Sequence, residues 1–144
     1  MRTLIASACL LAAVAFGAVG CGGDDDELTK AEYLKQGNAI CKAGNKEIDA
    51  AAEKAFSSNQ RPSNAEVKKF AEDTLIPSVE GQIDDLRDLT PPSADEDQVN
   101  AILDEADTAL DETKADPAIV ASGQDPFKKA NQLAKSYGLT ECAG

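Results

Sequence analysis

Histidine and tryptophan are absent from this 144-residue chain, methionine occurs once, and aromatic residues make up only 4% of it. Without histidine there is no His-ligated zinc or haem, no Ser-His-Asp or Cys-His catalysis, and no imidazole switch near neutral pH. Basic residues are also scarce, 14 against 26 acidic, for a net charge of −12. That balance excludes the basic patches that nucleic-acid binding demands. Neither GxSxG nor SxxK occurs, and no glycine-rich phosphate loop follows a strand. With two tyrosines and no tryptophan, a glycoside-cleaving carboxylate pair would lack the usual aromatic sugar platform. The expectation is a protein that is not an enzyme and needs neither metal nor cofactor.

What remains is 42% hydrophobic, too apolar for a disordered chain and long enough for one domain. Its first twenty residues read as an address. Met1-Arg2-Thr3 is a short basic start, Leu4 to Phe16 is small and apolar, and Gly17-Ala18-Val19-Gly20 supplies small residues before Cys21. This is the layout of an export signal, residues 1–20. The apolar run is short for a spanning helix, which needs roughly 20 residues. Ala18-Val19-Gly20-Cys21 resembles a bacterial lipobox. The resemblance implies that Cys21 carries a diacylglyceryl group and becomes the new N-terminus. The position three before the cysteine, usually Leu in that family, is Ala18 here, and the same residues also suit ordinary signal-peptidase cleavage.

The cysteines divide accordingly. Cys9 leaves with the signal, Cys21 takes the lipid, and Cys41 and Cys142 remain as an even pair in an exported chain. Such thiols oxidise outside the cytoplasm. A redox or metal role has no CxxC and no histidine to support it. A Cys41–Cys142 disulfide is therefore expected, closing a loop of about 100 residues, worth up to roughly 4–5 kcal/mol in the chain-entropy treatment. Between lipid and domain, residues 21–28 form a tether. Two glycines and the run Asp24-Asp25-Asp26-Glu27 keep it extended and solvated, with a reach of at most about 24 Å. Consecutive carboxylates lack the spacing of a calcium loop.

From residue 29 to residue 144 the spacing predicts helices. Thr29-x-x-Glu32, Ser63-x-x-Glu66 and Ser93-x-x-Glu96 fit capping boxes, and Asp125-Pro126 fits an N-cap followed by proline. Apolar residues recur every three or four positions after each start. They run from Tyr33 to Ala55, from Val67 to Leu89, from Val99 to Leu110 and from Phe127 to Tyr137. Gly138 is placed as the stop of the last helix. Ile119-Val120 reads as a single helical turn between Pro117 and Gly123. Pro77 removes one backbone hydrogen bond and should kink the second helix near Asp73, and Gly37, Gly44 and Gly81 suggest close helix approach. The expected fold is all-α, an antiparallel bundle of about four helices closed by one disulfide.

Two acidic stripes stand out. Glu80, Asp84 and Asp88 share one helical face, and Asp104, Asp107 and Asp111 share another. A solvated face is the simpler reading; docking of a basic partner or a weak cation is the sharper one. The whole pattern, Cys21-Gly-Gly-Asp-Asp-Asp before an Ala-rich helical domain, is similar to small envelope lipoproteins of actinobacterial type. Two patches extend the likeness, Leu75-Ile-Pro-Ser-Val through Pro91-Pro92, and Phe127 through Tyr137-Gly-Leu to Cys142. The resemblance implies attachment to the outer face of the cytoplasmic membrane and no particular activity; an envelope protein partner of unknown identity belongs to the interaction role below. Two functions fit it: a non-enzymatic accessory or interaction protein, or a carrier holding a small apolar or amphipathic ligand between helices with Pro77 near the opening.

Overall fold

The computed structural model describes residues 27–57 and 61–144. The expected signal and Cys21 lie outside the described residues, as does the tether except Glu27 and Leu28. The described chain is helical with no strand. Helix α1 spans Lys30–Ala55, α2 Asn64–Phe70, α3 Ile76–Arg87, α4 Glu96–Ala115 and α5 Lys128–Tyr137. A π-helical turn, Ala71–Leu75, joins α2 to α3 without a break, so the bundle has four rods.

Local sequence sets the ends. Thr29 accepts from the Glu32 N–H while Glu32 bonds back to the Thr29 N–H at 3.0 Å, and Ser63 and Glu66 repeat this at α2. These reciprocal boxes satisfy two otherwise orphaned donors each. The hydrogen bonds from Thr29 and Ser63 hold the Glu32 and Glu66 carboxyls below the ordinary carboxylate range. At α5, Gly138 turns left-handed (φ 113°), and the Leu139 N–H reaches back to Ala134 O at 2.9 Å, which ends the helix where expected.

Pro77 has no N–H to give the Asp73 carbonyl, and its ring crowds that carbonyl. The chain responds by widening rather than breaking: the Ile76 N–H bonds Ala71 O, five residues back. The departure from regular α-helix thus lies at Asp73, where the sequence places a kink, and it takes the form of a π turn in a continuous helix. Ile119-Val120 is a helical turn as expected, part of the 3₁₀ segment Pro117–Ala121 that packs on α2.

Two helix starts differ from expectation. Ser93 does not cap α4; its N–H goes to the Glu27 carboxylate at 2.5 Å, and the helix begins at Glu96 after a turn closed by Asp95 N–H to Pro92 O. The paired prolines hold that segment out of the helix. The Asp125 carboxylate does accept from the Phe127 N–H at 3.0 Å, but regular α5 starts later, at Lys128.

Cross-helix pairs fix the topology. Glu80 of α3 meets Lys114 of α4, while Arg87 further along α3 meets Asp104 and Asp107 further back on α4. Gly37 and Gly44 of α1 face Leu86 and Gln82 of α3 in reversed order. Lys129 and Tyr137 of α5 face Glu105 and Asp95 on and before α4. Each pair is antiparallel. The core joins Tyr33 and Cys41 of α1, Leu86 of α3, Val99, Ile102 and Leu103 of α4, Ala134 and Tyr137 of α5, and Leu139. Gly37 and Gly44 provide close approach as expected. Gly81 does not, since nothing lies within 4 Å of where its Cβ would be.

Candidate functional site: an apolar cavity behind the disulfide

Cys41 and Cys142 form a disulfide across 101 residues, with Cα atoms 5.0 Å apart. Cys41 is 2% exposed on the inner face of α1, so the bond draws the C-terminal tail across that helix. The tail is also clasped by two asparagines. The Asn38 side chain accepts from the Glu141 N–H at 2.8 Å and donates to Gly138 O at 3.1 Å. The Asn45 side chain donates to Glu141 O at 2.7 Å. Asn38, Cys41 and Asn45 recur every three or four residues and so share one face. Asparagine is a poor helix-interior residue because it competes for backbone bonds. Here Asn45 gives its amide to the neighbouring segment, and Asn38 divides its own between Leu34 O of the same helix, at 2.8 Å, and Gly138 O.

Behind the clasp lies a cavity of about 270 Å³. Val79, Ile83 and Leu86 of α3 line it opposite Ile102, Leu103 and Ala106 of α4. Ala130 and Ala134 of α5 are too short to fill the gap, and Leu139 with the disulfide closes one wall. Its deep end is buried: Ile83, Leu86, Ile102, Leu103, Ala134 and Leu139 are all in the core. Its rim is polar, with Asn45 and Asn131 half-buried and Asp125 exposed. An apolar floor below a hydrogen-bonding rim can desolvate a hydrocarbon group and hold a polar one at the surface.

Pro77 is not at this opening. It lines a separate open groove of about 520 Å³ between α1 and α3, with Ala43, Ser78, Gly81 and Asp85. Residues two before and two after it, Leu75 and Val79, line the cavity instead. The acidic stripes are placed side by side on α3 and α4 and bridged there. Arg87 pairs with Asp104 and Asp107, and Lys114 donates to Glu80 at 2.6 Å. Glu80, Asp104 and Asp107 thus serve as partners for cations of the neighbouring helix, while Asp84, Asp88 and Asp111 are exposed side chains of the same stripes, and no cluster of three or more metal-ligating side chains occurs among the described residues.

A second polar group sits at the end where the chain enters the domain. Tyr137 Oη donates to Asp95 at 3.1 Å, Lys30 Nζ pairs with Asp95 at 3.1 Å and lies 4.2 Å from the Tyr137 ring centroid. Burial and the Asp95 carboxylate push the Tyr137 phenol well above its ordinary value. Tyr33 packs edge-on against Tyr137, and burial raises its phenol to about 12. Leu28 N–H to Thr90 O, at 3.0 Å, stitches the start of the domain to the α3–α4 connection.

Sequence reading names Cys41 and Cys142 and misses Asn38, Asn45, Asn131 and Leu139. The signal for the first two was present, as two asparagines flanking a cysteine on a glycine-bearing helix face. Against known proteins the chain matches no family model, no curated protein and no solved structure. No helix among the described residues is long and apolar enough to cross a membrane.

Proposed function

We propose that this chain is a lipid-anchored extracytoplasmic protein. Cys21, carrying diacylglycerol, holds it at the outer face of the cytoplasmic membrane, and the helical domain is a non-enzymatic accessory or interaction module of the cell envelope. The observation that carries this reading is the Cys41–Cys142 disulfide. Structural disulfides persist in oxidising compartments outside the cytoplasm. The export layout of residues 1–20 supplies the route, and Cys21 the means of retention. Two acyl chains give stable anchoring where one does not. The acidic domain is repelled by an anionic leaflet, so membrane affinity comes from the lipid and the domain faces outward to a protein partner.

The test is fractionation of cells expressing wild type and Cys21→Ala. Wild type is expected in the membrane fraction. The variant is expected to be released or to stay unprocessed. A variant that is processed and still membrane-bound contradicts the lipid assignment. The apolar cavity supports a second reading, in which the module carries a small apolar or amphipathic ligand between its helices.

A further inference from the structure

The open groove between α1 and α3 has a counterpart on the same chain, and the inference deepens the interaction reading above by giving it a partner. We propose that the groove receives the outer face of α5 from a second copy of this chain.

Charge and spacing make the match. Glu47 stands on the α1 wall and Asp85 on the α3 wall, both exposed, and no lysine or arginine lines the groove. The two helices run antiparallel, with Gly44 facing Gln82 and Gly37 facing Leu86, so Asp85 lies level with Ala39 and Ile40. Glu47 is then roughly two turns further along, about 11 Å. Helix α5, alone among the five, carries no acidic residue. Its Lys129 is committed to Glu105, whereas Lys128 and Lys135 are exposed. These two are seven residues apart on one face, which is two turns or about 10.5 Å. Neither they nor Glu47 and Asp85 form an ion pair among the described residues. Asn131 and Gln132 lie between the two lysines, and Asp125, just before the helix, has its carboxylate on the Phe127 N–H.

The groove is shaped for close approach. Glycine is disfavoured inside a helix, yet Gly81 has nothing within 4 Å of where its Cβ would be, so no packing among the described residues calls for it. A side chain there would fill the groove of about 520 Å³. Ile40, Ala43 and Pro77 offer apolar surface to lysine stems. The Gln82 amide donates to Ser78 O at 3.2 Å and keeps its oxygen for the Asn131 or Gln132 amide. Lys35, Lys42 and Lys46 form another cationic row, on α1, but Glu32, Asp49 and Glu53 share their face and balance it. Groove and α5 face belong to different elements, so the contact is heterologous, and copies add head to tail or close a ring.

The experiment treats cells producing the full-length chain with a carbodiimide, which condenses a lysine amine and a touching carboxylate into an amide and takes up the water lost. Dimers and higher multiples are expected, with cross-linked peptides joining Lys128 or Lys135 to Glu47 or Asp85. Gly81→Leu keeps every charge and improves helix propensity, so it should leave the melting temperature no lower and cut the multimers at least fivefold. Glu47→Lys with Asp85→Lys should cut them equally, and adding Lys128→Glu with Lys135→Glu should restore them. Lys35→Glu with Lys42→Glu should leave them unchanged. Monomers alone, multimers indifferent to Gly81→Leu, multimers lost with the α1 lysines, or a different protein cross-linked at the groove would each overturn the proposal. The last would leave the interaction reading standing, and none of these outcomes moves the Cys21 fractionation, so partner, role and address fail separately.

Discussion

Replacing Cys41 with serine should markedly destabilise this fold. The disulfide spans 101 residues, nearly the whole domain. Chain-entropy reasoning assigns a loop of that length about 4.7 kcal/mol. Native contacts survive the change, because Asn38 and Asn45 still hold the tail at Gly138 and Glu141. A serine hydroxyl at position 41 can also bond a carbonyl one turn back along α1. The loss therefore falls on the unfolded ensemble, which gains freedom. We expect about 3–5 kcal/mol of destabilisation and, for a domain of this size, a melting temperature lower by roughly 10–20 °C. The denaturant slope should rise as well, since an uncrosslinked chain exposes more surface on unfolding. Urea and thermal unfolding of wild type, Cys41→Ser and Cys142→Ser, all without reductant, provide the assay. The two variants should agree within about 1 kcal/mol, because both remove the same constraint. A melting temperature within about 3 °C of wild type, with the wild-type bond verified, would refute the reasoning.

Tyr33 is 0% exposed and its hydroxyl has no hydrogen-bond partner among the described residues. A buried unsatisfied hydroxyl costs roughly 1–3 kcal/mol, so Tyr33→Phe should be neutral or stabilising in urea unfolding; a loss above about 1 kcal/mol contradicts this. A methyl group at Gly37 would lie 2.7 Å from Leu139 Cδ2 and 3.1 Å from Leu86 Cδ2, both buried. Gly37→Ala should be destabilising, with overpacking of about 1–3 kcal/mol outweighing a helix-propensity gain of about 1. Gly44→Ala meets only the flexible Gln82 side chain, so it should be neutral or stabilising, and equal losses in both variants would contradict the packing argument. Alkaline stability should fall late and steeply. Tyr33 is raised to about 12 and Tyr137 higher still, against about 10 in the unfolded chain, so their stabilisation is complete below pH 10 and lost as pH climbs through 12. Ultraviolet titration of the only two tyrosines should show them ionising together with loss of helix; one ionising near pH 10 in an intact fold would contradict it.

The helices were legible because their signals are local. Thr29–Glu32 and Ser63–Glu66 announce starts within four residues, and Gly138 announces a stop, whatever the rest of the chain does. The Ser93 box failed for a non-local reason. Glu27, far away in sequence, takes the Ser93 N–H, and Pro91-Pro92 hold the chain in a turn until Asp95. The cavity was invisible in the sequence for a related reason. Apolar periodicity marks which residues face inward, but not whether short ones such as Ala106, Ala130 and Ala134 meet a large neighbour or each other. Gly37 and Gly81 carry the same sequence signal, and only Gly37 is packed against another helix. Leu139, 0% exposed, escaped because it follows the last helix and belongs to no periodic face. The disulfide was legible by arithmetic; the clasp that aligns it was not, because each asparagine bonds backbone about 100 residues away.

Intact mass spectrometry of the protein extracted from its native membranes, before and after reduction, tests the central claim most directly. The account predicts the mass of residues 21–144 plus acyl groups on Cys21, rising by two hydrogens on reduction as the Cys41–Cys142 bond opens. A bare mass for the same residues, recovered from the medium, would contradict the lipid anchor, and a mass unchanged by reduction would contradict the disulfide.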